Sequence, residues 1–430
     1  MTTGRAVVGG ADAVAGLGVA AGAAHGWQRT RVARAAPARV LAFGAFLKNR
    51  ACLLQGREVL WSPEHGDLGT PAACAALSES AEALLREARA TFTAGGRIDA
   101  VAHDLHPDFH STRLALEVAA RLDVPAIAVQ HHHAHVAVVQ AEQGWGMGQA
   151  RPLLGLALDG VGLGTDGLAW GGEVLRVAGP TFERVAHLPL LPLPGGDAAA
   201  REPWRLVAAL LHAAGRRSEI GARLAPQVGA PLAHGVATLL ARNLHCPRTS
   251  SAGRWFDAAA GALGLSLCQS HEAEAAMALE AAATAWLQAN PGHAEPAAAA
   301  LDLRSLVTSL LDERDAGRGA ARFHIALARW LVGQVAEANK AGTARITGTP
   351  GGADVADVVL GGGCFFNRLL GREVEAGLAA AGHRVWRPLT VGVGDAGLAL
   401  GQAWVAALQV KRDAAAPAHH ATEPALAEEA

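Results

Sequence analysis

Short apolar runs of strand length alternate with helix-period stretches along this 430-residue chain, and the series starts twice. The first series opens with a strand pair at 40–46 and 55–61, joined around Lys48-Asn49. A helix over 75–90, a strand at 98–102, a helix over 111–122 and a strand at 126–129 follow. The second opens at Pro152-Leu-Leu-Gly-Leu-Ala-Leu-Asp159, an apolar strand ending in an acid and a glycine turn. A second strand pair, Ala/Leu-rich helices through residue 342, a strand at 355–360 ending in Gly361-Gly-Gly, and a helix from about Asn367 complete it. Such a pattern predicts an α/β protein of two lobes, 38–151 and 152–411, with a cleft between them. A chain of this length buries enough surface for two such lobes. Residues 1–37 and 412–430 are biased to Ala, Pro, Glu and Gly and read as disordered tails, and 343–353 reads as a surface loop.

The net charge of −2 gives no electrostatic footprint for nucleic acid or an anionic membrane. Five cysteines, Cys52, Cys74, Cys246, Cys268 and Cys364, are scattered without a C-x-x-C pair, which argues against a zinc module and a disulfide framework and for a reducing cytoplasm. No apolar run is long enough to span a bilayer. The Ala/Gly/Val stretch at 6–24 has the flavour of a signal peptide, but Asp12 and its glycines interrupt the apolar centre.

Val129-Gln-His-His-His-Ala-His-Val-Ala137 concentrates imidazole mid-chain, between an apolar strand and an apolar helix. In a helix, His131 and His135 stand at i and i+4 on one face and converge on one cation; His132 with His135 is the alternative pair. Asp159, closing an apolar strand, would complete a two-His, one-carboxylate set suited to iron, zinc or manganese. Val391-Gly-Val-Gly-Asp395 sets another acid in a glycine turn before a helix, where it serves as a metal ligand or a cap.

Asp159-Gly-Val-Gly-Leu-Gly-Thr-Asp-Gly167 can bring backbone amides close to phosphate at Gly160, Gly162 and Gly164. Strand rather than helix follows it, which excludes a dinucleotide fingerprint. Gly361, Gly362 and Asn367 form a similar turn, with Asn367 as a cap or a base- or ribose-reading amide. Arg201 and Arg205 lie in a loop suited to carboxylate, phosphate or carbamoyl oxygen. Asp257 is placed to accept a ribose hydroxyl or to serve the helix dipole. His103-Asp-Leu-His-Pro-Asp-Phe109 leaves metal binding, base chemistry and capping all open.

Taken in order, Lys48-Asn49, His103-Asp-Leu-His-Pro107, Gln130-His-His-His-Ala-His135, Asp159 to Gly167, Trp170-Gly-Gly-Glu173, Gly195-Gly-Asp197, Arg201-Glu-Pro-Trp-Arg205, Ser250-Ser-Ala-Gly253, Phe256-Asp257 and Gly362-Gly-x-x-x-Asn367 resemble the HypF family, the carbamoyltransferases of [NiFe]-hydrogenase maturation. The resemblance covers about 38–410 and corresponds to that family's C-terminal, TsaD-like part, without its acylphosphatase, zinc-finger and YrdC-like domains. It implies two RNase H-like lobes of the actin and sugar-kinase type around a nucleotide and metal cleft. By the same resemblance, His131, His135, Asp159 and Asp395 hold a divalent metal, iron or zinc, beside the phosphate of ATP or carbamoyl-adenylate. Glycines 160–167 and 361–363 line the phosphates, and Asp257 and Asn367 lie nearer the nucleoside. The implied acceptor is the C-terminal cysteine of HypE. Related small-molecule O-carbamoyltransferases, tRNA threonylcarbamoyl transferases and a non-catalytic assembly scaffold are the alternatives. Two departures from the family pattern are Gly394-Asp-Ala-Gly397 for Asn-Asp-Gly-Gly and Phe109 for a tyrosine.

Overall fold

The computed structural model describes residues 26–91, 97–147, 152–292, 302–347 and 356–415. Its first half runs β1 (Gln28–Arg31), β2 (Val40–Ala42), β3 (Cys52–Gln55), β4 (Glu58–Trp61), α1 (Pro71–Thr91), β5 (Ala100–Asp104), α2 (His110–Leu122), β6 (Ala126–Val129) and α3 (His131–Gln143). Next come β7 (Leu153–Leu163), β8 (Ala169–Ala178), β9 (Thr181–His187), β10 (Leu191–Pro192), α4 (Ala198–Arg201), α5 (Trp204–Ala213), α6 (Ser218–Val228), α7 (Ala230–Arg242), β11 (Arg248–Thr249) and α8 (Ala252–Ala262). The chain closes with α9 (Glu274–Ala289), α10 (Leu303–Ser309), α11 (Ala316–Thr347), β12 (Asp357–Gly361), α12 (Arg368–Ala380), β13 (Arg384–Trp386) and α13 (Leu398–Ala415).

Each half builds one mixed sheet on the same plan. A three-strand antiparallel meander comes first, β2-β3-β4 or β7-β8-β9. Two parallel strands then add on the far side of its first strand, β5 and β6 or β12 and β13. The central strands β2, β5, β7 and β12 read as near-continuous apolar runs because helices cover both faces of each sheet. Two such sheets, each with the RNase H-like strand order, give the two-lobed α/β architecture of the actin and sugar-kinase class.

The helix that follows the last strand of each half crosses to the other half. Along α3, Val136 and Val139 pack on Leu153, Ala157 and Val359 of the second sheet. Leu400, Ala403 and Trp404 of α13 pack in turn with Val40, Ala42, Ala100 and Ala102 of the first sheet. The two helices meet in the middle, so close that a Cβ on Gly401 would lie 1.9 Å from the carbonyl oxygen of Ala134. All of α3 except Gln143 is buried, which places its four histidines in the interior between the lobes.

Several expectations shift. The tail expected over 1–37 is ordered at β1, which pairs antiparallel with β4 and leaves only 1–25 outside the described residues. The strand expected over 55–61 is a hairpin, β3 and β4, because Gly56 at φ +56 turns the chain. The strand expected to end at Asp159 continues to Leu163 across a register shift, so Gly160 and Gly162 belong to β7 rather than to a turn. The loop expected at 343–353 is helix as far as Thr347, and 348–353 falls outside the described residues. The boundary drawn between the lobes is also crossed, since α13 runs to Ala415 and packs on the first sheet.

Candidate metal centre and adjoining cleft

The Gln130 side chain accepts a hydrogen bond from the His133 amide at 2.9 Å and starts α3 where β6 ends. This start sets the helical phase. His131 and His135 face Asp159 on β7 and Asp395 in the turn before α13, and His132 turns away, its Nδ1 3.0 Å from the Gln130 amide nitrogen. The i, i+4 pair is therefore the one that converges. His131 Nε2 lies 3.1 Å from Asp159 Oδ2 and 3.5 Å from Asp395 Oδ1, and His135 Nε2 lies 3.2 and 3.3 Å from the same two atoms. One ligand atom from each of the four residues lies within 4.8 Å of the others.

Such spacing fits a single cation: two neutral nitrogen donors and two carboxylates suit iron or zinc. Gly363 donates its backbone N–H to Asp159 Oδ1 at 3.2 Å, and Glu142 accepts from the amides of Leu389 and Thr390 at 2.8 Å, fixing the segment that leads to Asp395. The departure at Gly394-Asp-Ala-Gly397 thus leaves Asp395 within reach of both histidines.

Asp104, at the end of β5, completes the arrangement from behind. It is fully buried, its Oδ2 stands 2.8 Å from His131 Nδ1, and its Oδ1 accepts the His106 amide at 3.0 Å. A proton held between Nδ1 and Asp104 leaves the Nε2 lone pair of His131 facing the cluster. In the sequence its role stays open, because it reads as one acid of the polar His103–Phe109 loop rather than as the end of β5.

The electrostatics follow from the packing. Burial alone would lower the His131 pKa, but Asp395, Asp104 and Asp159 outweigh it and raise it well above the usual value. His135 is raised for the same reason, burial being outweighed by Asp159 and Asp395. Burial opposes ionisation of Asp159 too, yet hydrogen bonds from His131 and His135 hold it well below the usual carboxylate range. His132 lacks such acids at contact, and its pKa is lowered by burial and by His131.

The remaining candidates divide. Gly162 and Gly164 are required by packing, because a Cβ would strike His132 Cε1 at 2.7 Å and Trp170 Nε1 at 2.2 Å; Gly160 faces open space. Gly361 packs against His135, and Gly362, at φ +97, would meet the Leu158 carbonyl at 2.3 Å. Asn367 caps α12 through Leu370 N–H at 2.8 Å and meets His324 Nε2 at 2.9 Å, so its amide is largely committed.

Asp257 is buried on α8, 2.7 Å from Arg254 Nε and 3.2 Å from the Gln269 amide; burial, only partly offset by Arg254, pushes it up to about 6. Gln269 also binds the Ala200 carbonyl at 2.7 Å, which joins Asp257 to the α4 loop. Arg205 is held by Glu202 at 2.6 Å over the Trp204 ring, and Arg201 is exposed. Among the described residues no hydrogen bond or ion pair ties either arginine to the four-residue cluster.

No helix of the described residues is long and apolar enough to cross a membrane. Two family descriptions match the chain: the HypF Kae1-like domain over 35–142, and the second subdomain of the carbamoyltransferase Kae1-like domain over 155–402. A carbamoyltransferase HypF homolog of Cupriavidus necator is 55% identical over 90% of this chain and 95% of its own length. Carbamoyltransferase HypF2 of the same organism is 46% identical, and HypF of Rhizobium leguminosarum 38%; the matched region spans 47% and 44% of their lengths, about half. Among solved structures, HypF from T. kodakarensis superposes with a TM-score of 0.74 at 29% identity, over 89% of this chain and 48% of that one. A full-length HypF in a phosphate- and nucleotide-bound form superposes with a TM-score of 0.71 at 28% identity, over the same shares. With both halves of its fold matched in order and a relative of its own length at such identity, the chain belongs to the HypF family of carbamoyltransferases.

Proposed function

We propose that this protein transfers a carbamoyl group from carbamoyl-adenylate to the C-terminal cysteine thiol of HypE during [NiFe]-hydrogenase maturation. The observation that carries the reading is the convergence of His131, His135, Asp159 and Asp395 from both halves of the molecule, with Asp104 behind His131. These four residues would hold one divalent metal, iron or zinc. When bound, that ion would supply Lewis-acid stabilisation of the charge developing on the acyl oxygen.

The chain's own residues supply placement. Gly160 faces open space beside Asp159 and admits a phosphate close to backbone, while the backbone N–H of Gly363 meets Asp159 Oδ1. Asp257 and Asn367 would lie toward the nucleoside of ATP or carbamoyl-adenylate, and Arg201 and Arg205 toward the acyl or phosphoryl oxygens. The acceptor brings the nucleophile: its sulfur bonds to the carbamoyl carbon, the carbon–oxygen bond to phosphate breaks, AMP leaves with the electron pair, and the thiol proton is released. Cys364 beside the site is unsuited to that role, since burial pushes its thiol well above the ordinary range. The test supplies preformed carbamoyl-adenylate and HypE, and reads the carbamoyl adduct on the HypE C-terminal peptide by mass spectrometry. An adduct with wild type that is lost in His135→Ala supports transfer; co-purification of the two proteins without any adduct supports a scaffold instead.

A further inference from the structure

Both acids of the four-residue cluster stand on backbone outside the regular ladders of their sheet. Asp159 falls where the β7–β8 ladder breaks register, between the pairs Leu158–Gly172 and Gly162–Trp170. Asp395 follows a segment, 387–394, that belongs to no strand or helix. Within the second half, Ser251 Oγ donates to the Asp159 carbonyl at 3.2 Å, Gly363 N–H meets Asp159 Oδ1 at 3.2 Å, and Gly362 N–H donates to the Val393 carbonyl at 2.8 Å. These contacts place the acids relative to their own sheet. They do not place them relative to the histidines, which arrive from the first half on α3.

The two ends of α3 supply that registration. At its start Gln130 is buried; its oxygen caps the helix by accepting the His133 N–H, and its nitrogen lies 3.0 Å from His132 Nδ1 and donates to the Leu163 carbonyl at 3.1 Å. Leu163 is on β7, beyond Asp159. Shorter side chains cap helices as well or better, so capping alone does not call for glutamine. Its extra length adds the bond to β7. Gly162 lets that strand approach, since a Cβ there would lie 2.7 Å from His132 Cε1 and 2.9 Å from His131 Cβ.

At the other end, Glu142 sits in the last turn of α3, where the helix dipole disfavours an acid, and it is only 2% exposed, so burial adds a second penalty. What offsets both is the set of groups it holds: the amides of Leu389 and Thr390 at 2.8 Å each and the Thr390 hydroxyl at 2.6 Å, all in the segment that leads to Asp395. Hydrogen bonds to a charged acceptor are about twice as strong as neutral ones. An acid kept where local rules disfavour it is the mark of a position with a task beyond the helix itself.

We infer that Gln130 and Glu142 are positioning residues, each aligning one acid with the histidine pair. Gln130 sets Asp159 through β7, and Glu142 sets Asp395 through the 389–390 backbone. The helix α3 thus carries two of the four ligands and fixes the places of the other two. The inference rests on the metal-centre reading.

Cobalt(II), titrated into the metal-free protein, tests this, because its visible absorption reports affinity and coordination geometry together. Gln130→Asn retains a good cap but falls short of Leu163, and Glu142→Gln retains the shape without the charge. Each should weaken cobalt binding by about tenfold or more and alter the absorption band, as loss of a ligand's outer partner does. Pairing with ligand variants shows which acid each residue serves. Gln130→Asn should add little to the loss in Asp159→Asn and multiply the loss in Asp395→Asn, and Glu142→Gln should show the reverse. An unchanged affinity and spectrum in either single variant would overturn the assignment of that residue while the metal reading stands. Losses that multiply in every pairing would overturn both assignments, by showing general damage to the fold rather than alignment of one acid. If wild type binds no cobalt, the metal reading itself falls and takes the assignments with it.

Discussion

The two halves of the molecule use one strand order and one crossing helix each, yet the junctions those helices make with β2 and β7 differ in kind. At the end of β2, Gly44 donates its N–H to Gln402 Oε1 at 2.9 Å and accepts from the same amide at 3.2 Å. Gln402 is the fifth residue of α13, the helix arriving from the other half. Within β7, where its register shifts, the partner is His135, the fifth residue of α3, arriving the other way, and it meets the carboxylate of Asp159. One junction is neutral and saturated by backbone. The other gathers two acids and two imidazoles whose charges balance only with protons or a cation between them. The shared scaffold supplies the rigidity, and the residue types at one end supply the chemistry.

Mutation at the two junctions should separate these contributions. Asp159→Ala removes a proposed ligand, and metal retention should fall by more than about 100-fold, since even an outer partner of a ligand costs about 10–100-fold when lost. Gln402→Ala should keep its metal and lose about 1–3 kcal/mol of stability from a buried amide left without its partner. Equal metal loss in both variants, measured by chelator competition, would erase the distinction. Asp104→Asn should weaken metal binding by about 10–100-fold with a near-normal unfolding transition in the metal-free protein. A destabilised fold with unchanged metal affinity would make Asp104 structural instead.

Smaller effects probe the crossing and the charges. Gly401→Ala forces a methyl onto the Ala134 carbonyl and should cost about 1–3 kcal/mol in urea unfolding, as overpacking does. A neutral result would mean that α3 and α13 separate freely.

The least pronounced prediction concerns pH. His131 and His135 have raised pKa values in the metal-free fold. Their contribution to stability is therefore complete below the usual value of 6.5 and is lost as pH rises through the folded values. Metal competes for the same lone pairs and has no such loss, so the melting-temperature gap between loaded and metal-free protein should widen from about pH 6 to 9. A gap that narrows over that range would place the titrating groups elsewhere.

Much of this was legible in the sequence because the signals were local. The helical spacing of His131 and His135 and the acid that follows the apolar run at 153–158 required no knowledge of tertiary contacts, although the strand itself runs on past Asp159 to Leu163. What stayed hidden depended on them. Nothing in the chain says that α13 belongs on the first sheet, because its apolar character fits either lobe. Asp104 looked like one acid among several in a polar loop until β5 and β6 were set side by side. Gly162 and Gly164 read as phosphate-cradling turn residues, although His132 and Trp170 crowd them, because a glycine motif does not reveal which neighbour demands the missing side chain.

Whether residues from both halves hold one metal ion can be read by X-ray absorption spectroscopy with elemental analysis of the purified, metal-supplied protein. The expected result is one ion per chain with a mixed nitrogen and oxygen shell, at about 2.0–2.1 Å for nitrogen if the metal is zinc, and loss of that shell in His131→Ala. Absence of a bound ion under those conditions, or a sulfur shell at about 2.3 Å that survives His131→Ala, would contradict it.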